Sequence, residues 1–177
     1  TVTIMQTNTG SSTTKLTSLT INNSLYAKTK EKGSLTMTSL DKLTSLTLNN
    51  VKVTAEIKME SKVVSTNATQ NDGGQAHSIT LNGAKTAAIL LNGVGTNSPA
   101  TRAAQTVNIT NSSVGDITVK GVNNNVTLNE VKATTAPAVT IEGTGGNLNV
   151  RGVSTLGAVT VTSGADKETT AAPSNIT

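Results

Sequence analysis

The sequence predicts an all-β chain wound as a β-solenoid, and three observations predict it. First, Val126-Thr-Leu128-Asn, Val139-Thr-Ile141-Glu, Leu148-Asn-Val150-Arg and Val159-Thr-Val161-Thr are apolar-polar-apolar triplets, each closed by a polar residue. Two apolar side chains two residues apart share one face of a strand, and the residue between them faces the other way. Second, these units begin at 126, 139, 148 and 159, too close together for a helix to fit between them. Third, the chain has no Trp, no Phe and a single Tyr, Tyr26. Without aromatics to fill volume, the core must be Val, Ile, Leu and Ala. That suits a narrow interior repeated many times rather than one thick core. Abundant Thr fits strands and abundant Asn fits turns.

Taken in order, residues 1–6 alternate and read as an opening strand, followed by a Ser/Thr/Asn-rich loop over 7–15. Leu16-Thr-Ser-Leu19-Thr-Ile21-Asn22-Asn23 returns as Leu43-Thr-Ser-Leu46-Thr-Leu48-Asn49-Asn50, a shift of 27 residues, with Leu35-Thr-Met37-Thr between the copies. Residues 28–32 are a charged turn. Val51, Val53, Ile57 and Met59 alternate again. The pattern weakens over 63–78, where Asn71-Asp72-Gly73-Gly74 is a turn signal, so a protruding loop is expected there. From Ile79 the units are regular: Ile79-Thr-Leu81, Ile89-Leu-Leu91, Val107-Asn-Ile109, Ile117-Thr-Val119 and the four above. One unit about every ten residues implies two strands per coil and coils of about 20 residues. The gap around Ser98-Pro99 reads as an inserted loop. Glycines that follow a strand-ending Asn, Lys, Glu or Arg mark sharp bends with positive φ. Residues 165–177 form a polar tail in which Asn175-Ile176 is a last short strand. The whole chain, 1–177, reads as one block of about eight coils.

Outward Thr should form hydroxyl ladders, and Asn at strand ends should bond the Asn one coil away. The absence of Cys excludes disulfides, thiolate metal sites and a thiol nucleophile. No apolar run approaches the ~18 residues of a membrane helix. Thr1 opens the chain without a charged, apolar leader, so the sequence reads as a processed chain or a fragment. The net charge is +4, and residues 1–62 hold eight Lys against Glu31, Asp41, Glu56 and Glu60. This basic third either meets an anionic surface or is a solvated face whose lysines block strand edges; the second reading is preferred.

The Val-Thr-Ile-x-Gly and Leu-Thr-Leu-Asn-Asn units over 16–164 resemble the right-handed parallel β-helices of bacterial surface and secreted proteins. Autotransporter passengers, filamentous adhesins and polysaccharide lyases share that fold. The runs 16–23 and 43–50 also resemble bacterial surface leucine-rich repeats, but the aromatic and Cys positions of those repeats are missing and the 27-residue copy is not sustained. The β-helix is preferred. The resemblance implies an extracellular or cell-surface protein, bacterial in type.

Chemistry is sparse. Glu56 and Glu60 share one strand parity, opposite to Ile57 and Met59, so both face outward. Stacked coils could gather Glu130 with Glu142 or Asp116 into the carboxylate pair of a glycosidase. His77 is the only His, so it cannot form a multi-His metal site; following the loop, it reads as a surface histidine. Phosphate-loop, dinucleotide and calcium-repeat motifs are missing. No catalytic, cofactor or metal site is therefore expected. With one aromatic, base stacking on single-stranded nucleic acid is disfavoured, and so is a lectin. Six Asn-x-Ser/Thr triplets, starting at Asn22, Asn67, Asn108, Asn111, Asn125 and Asn175, are expected by chance in such a composition. Thr-x-Thr pairs suggest ordered water, but Lys and Arg are expected to interrupt the outward positions. The favoured expectation is a structural or adhesive stalk or filament subunit without catalysis, self-associating end to end and contacting a host surface or polysaccharide. No specific nucleic acid and no membrane insertion are expected. The alternative is a polysaccharide-processing or polysaccharide-binding module with a groove at Glu56, Glu60 and His77.

Overall fold

A computed structural model describes residues 2–5, 16–22, 35–38, 43–53, 56–60, 74–95, 102–132, 135–152, 154–162 and 175–176. The described residues form strands β1 (Val2–Met5), β2 (Ser18–Asn22), β3 (Leu35–Thr38), β4 (Ser45–Asn49), β5 (Ile57–Glu60), β6 (His77–Asn82) and β7 (Ile89–Asn92). They continue with β8 (Gln105–Thr110), β9 (Ile117–Lys120), β10 (Asn124–Asn129), β11 (Val139–Glu142), β12 (Gly146–Arg151), β13 (Val159–Thr162) and β14 (Asn175–Ile176). No helix occurs among them. The all-β expectation holds, including the opening strand and the short final one, which pairs with β12.

Every strand pairing is parallel. The even-numbered strands make a seven-stranded sheet in the order β14-β12-β10-β8-β6-β4-β2. The odd-numbered strands from β5 make a five-stranded sheet, β13-β11-β9-β7-β5, and β1 pairs with β3. The chain thus passes from one sheet to another and back, each strand from β3 on, except β5, landing beside the one two elements earlier. Parallel strands need such crossovers because a hairpin cannot join them.

Register follows residue type. The 27-residue copy is a direct stack: Ser18, Leu19, Thr20, Ile21 and Asn22 lie beside Ser45, Leu46, Thr47, Leu48 and Asn49, and these lie beside Ser78, Ile79, Thr80, Leu81 and Asn82. The series continues through Val107 and Ile109, then Val126 and Leu128, then Leu148 and Val150. In the five-stranded sheet, Ile57, Ile89, Ile117, Val139 and Val159 share one row. The step between stacked strands is close to the expected 20 residues only late in the chain. Val107 to Val126 is 19 residues, whereas Leu46 to Ile79 is 33. The extra length lies between strands. A slip of one residue would turn every apolar side chain outward, so the strand cores hold register while the connections vary.

A third line of parallel backbone contacts joins the segments after the seven-stranded sheet. Lys85 N–H donates to Val51 O (2.9 Å), Val53 N–H to Lys85 O (2.8 Å) and Ser113 N–H to Ala84 O (2.9 Å). Lys132 N–H donates to Ser112 O (2.9 Å) and Thr155 N–H to Val131 O (3.0 Å). The bend into this line is left-handed in five successive passes: Asn50 (φ 54), Gly83 (φ 60), Asn111 (φ 46), Glu130 (φ 53) and Gly152 (φ 63). Four of the five are Gly or Asn, the residues that tolerate this region, so the expected turn chemistry recurs here with Glu130 as the exception. Gly93 and Gly121, also expected at positive φ, are absent from that set. They are small for a different reason, given below.

The core is one apolar cluster running from Leu43 to Leu148, with Leu46, Leu48, Ile79, Leu81, Ile109 and Leu128 fully shielded. Alternation over β4 and over 78–82 of β6 puts Leu or Ile inside and Ser, Thr or Asn outside.

Candidate functional site

The three site candidates separate. Glu56 is exposed. Glu60 is half-buried on the outward side of β5, and its carboxylate pairs with Lys58 at 2.9 Å. The hydrogen bond and charge of Glu60, with Glu56 adding, raise the Lys58 ammonium above its ordinary range. His77 is not on the surface. It occupies the first inward position of β6 and is 3 % exposed. His77 and Ser78, expected in a protruding loop over 63–78, belong to β6; residues 61–73 lie outside the described ones. His77 shares parity with Ile79 and Leu81, and that parity points into the core.

His77 begins a buried polar column. Gln105 (0 % exposed) and Asn124 (1 %) take the same inward position on β8 and β10. His77 Nδ1 lies 2.8 Å from Gln105 Oε1. Gln105 Nε2 donates to the carbonyls of Gln75 and Ala103, both at 3.0 Å. The amide nitrogen is therefore spent on two acceptors, and Oε1 must face the imidazole. That assigns the proton to Nδ1 of neutral His77. The Gln105 N–H donates to Asn124 Oδ1 (3.2 Å), and Asn124 Nδ2 donates to Glu142 O (3.4 Å). Gly93 and Gly121 make room for this column. A Cβ on Gly93 would collide with Gln105 Nε2, and one on Gly121 with Ala103 O and Asn124 Oδ1. Burial lowers the His77 pKa from its ordinary value, opposed by the Gln105 hydrogen bond and the Glu60 charge. Fully bonded buried amides fix the register of a core. The signal was present two residues before Ile79, Val107 and Val126, where parity places His77, Gln105 and Asn124 inside.

Charges on the five-stranded sheet face outward. Lys120 and Glu142 pair across β9 and β11 at 3.0 Å, each about one-third exposed, so the pair is worth at most about 1 kcal/mol. Asp116 instead accepts from the Ala138 N–H (2.9 Å). Glu130 is exposed on the left-handed bend. The outward face of the seven-stranded sheet differs: it carries Ser, Thr and Asn, and Asn49 Nδ2 donates to Asn22 Oδ1 at 2.6 Å, an amide ladder of the expected kind. Among the described residues, no group of three or more His, Asp or Glu is placed to hold a metal ion. No helix among them is long and apolar enough to cross a membrane. Of the eight lysines in residues 1–62, only Lys52 and Lys58 are among the described residues.

No family model matches the chain, and neither a curated protein nor a solved structure is similar to it.

Proposed function

We propose that the chain is a parallel β-solenoid forming the body of an extracellular structural or adhesive protein, a stalk or filament segment without catalysis. The observation that carries this reading is the unbroken stacking of like on like through successive passes, Leu19 on Leu46 on Ile79 on Val107 on Val126 on Leu148. The third backbone ladder supports it by giving the passes from β4 to β12 three lines of hydrogen bonds to the next. These bonds run along the stack. Extension along that direction therefore loads many of them together. The Ser/Thr/Asn exterior keeps the body hydrated, and a mechanical role requires no convergent site. The chain's lack of Cys agrees with a fold that relies on stacking rather than stapling.

End-to-end association belongs to the same proposal. Among the described residues, Leu16 (41 % exposed) and Val159 (42 %) are the large apolar side chains left open, one beside the edge strand β2 and the other on the edge strand β13. They lie at opposite ends of the strand order. Pairing one end with the other would cover both in a head-to-tail contact. The polysaccharide-processing alternative draws no support from His77, whose ring is part of the core. Electron microscopy of the purified chain over a concentration series tests the reading. Narrow rods are expected, lengthening in whole multiples of one molecule as concentration rises. Compact particles of similar width and length would overturn it.

A further inference from the structure

The seven-stranded sheet carries a face unlike the rest of the exterior. Six of its strands, β2, β4, β6, β8, β10 and β12, each present three outward positions. Of these eighteen positions, seventeen are Ser, Thr or Asn, and Arg151 on β12 is the one charge. The five-stranded sheet presents ten outward positions and places Lys58, Glu60, Lys120 and Glu142 on four of them. Solvated sheet faces ordinarily carry both signs of charge, which keeps copies apart. Here the charge expected to interrupt the outward positions is limited, among the described residues of the face, to Arg151.

We propose that this neutral face docks on the same face of a second copy of the chain, pairing two stacks side by side. The inference does not rest on the end-to-end contact above; it needs only the sheet and its outward residues. Three arguments select a second copy as the occupant. A chain of net charge +4 repels itself, and an isologous contact sets a patch against its own image, so a patch almost free of charge is where two copies can meet. Hydroxyls and carboxamides each donate and accept, so a Ser/Thr/Asn surface is complementary to itself without any change of sequence. A face with a single cation, Arg151 at its edge, offers little counter-charge to a polyanion, and one Tyr in the whole chain leaves little aromatic surface for stacking sugar rings or bases. The face measures roughly 25 by 16 Å from strand spacing and rise, so a pair covers about 800 Å². That is below the standard interface size and defines a weak, concentration-dependent contact. Copies displayed together, or joined end to end, would multiply it.

Sedimentation analysis of the full chain from micromolar to millimolar concentration tests this. The weight-average mass should rise above 18.0 kDa as concentration increases. Added salt should strengthen the association, because it screens the repulsion of two cationic copies. The variant T47K/T80K puts charge on two adjacent strands of the face and should associate markedly less than the parent. T118K/T140K makes the same change on the five-stranded sheet and should associate like the parent. A parent that stays monomeric at millimolar concentration overturns the proposal. So does a T47K/T80K variant that associates as strongly as the parent, which would assign the contact to the stack ends or another surface. If T47K/T80K does not fold, single cysteines decide, since the chain has none of its own. Under mild oxidation T80C should form a disulfide dimer markedly faster than T118C, and equal rates overturn the proposal.

Discussion

Protonating His77 where it stands would put a charge inside the core, beside an amide that is already committed. Gln105 Oε1 accepts from Nδ1, so a second proton must go to Nε2. Burial disfavours that charge, and the Glu60 carboxylate and the Gln105 bond offset the penalty only in part, leaving the pKa below its ordinary value near 6.5. The sign for stability follows. Between the folded pKa and about 6.5 the unfolded chain binds more protons than the folded one, so stability falls as pH falls. Above about 6.5 both states are neutral and this group contributes no slope. Denaturant unfolding of the parent and of His77→Gln should therefore diverge on acidification. The parent should lose stability from about pH 6.5 downward, and His77→Gln, whose amide can still donate to Gln105 Oε1, should lose less. Equal pH slopes for the two would show that His77 does not titrate on unfolding.

Among the elements, the third backbone ladder contains a mismatch. Val53, Thr86 and Val114 occupy equivalent inward positions on successive passes, and all are buried. Thr86 Oγ1 has no hydrogen-bond partner. A buried hydroxyl without a partner carries a desolvation cost of about 1–3 kcal/mol. Valine has nearly the same shape and matches both neighbours in the stack. Thr86→Val should therefore raise unfolding stability by about 1 kcal/mol, read as a higher denaturant midpoint at unchanged slope. An unchanged or lower midpoint would mean that the hydroxyl is satisfied in solution. This ladder also marks the limit of what the sequence disclosed. Period-two alternation exposed the strand cores at 79, 107, 117, 126 and 139, because parity alone decides which side chain is inside. Passes of different length hid the stacking beyond the first 27-residue copy, since a connection can grow without disturbing register. At His77, Gln105 and Asn124 the inward parity was present, but their polar chemistry masked it. Their burial depends on hydrogen bonds supplied by other passes, which no local pattern reveals.

For the whole molecule, pairing is between nearest neighbours: each described strand of the seven-stranded sheet contacts only the strands before and after it in the sheet order. Stability in such an arrangement is a sum of local terms and neighbour contacts, so it should be graded rather than uniform. β6, β8 and β10 have parallel partners on both sides and inward Ile, Leu and Val that are fully shielded. β2 is an edge strand, with Leu19 and Ile21 only partly covered. β13 is likewise an edge, with Val159 open. Native-state hydrogen exchange should therefore be slowest over 77–82, 105–110 and 124–129, and fastest among the paired strands over 18–22 and 159–162. Openings that begin at an edge break contacts with one neighbour, whereas an opening in the middle breaks contacts with two. If end-to-end pairing forms at high concentration, protection at β2 and β13 should rise while the central strands stay unchanged. Side-by-side pairing would leave that edge difference in place, because it covers side chains on the sheet face rather than the edge strands' open flanks. Uniform protection across all strands at low concentration would mean that the stack opens as one cooperative unit, and the neighbour-only account of its stability would fail.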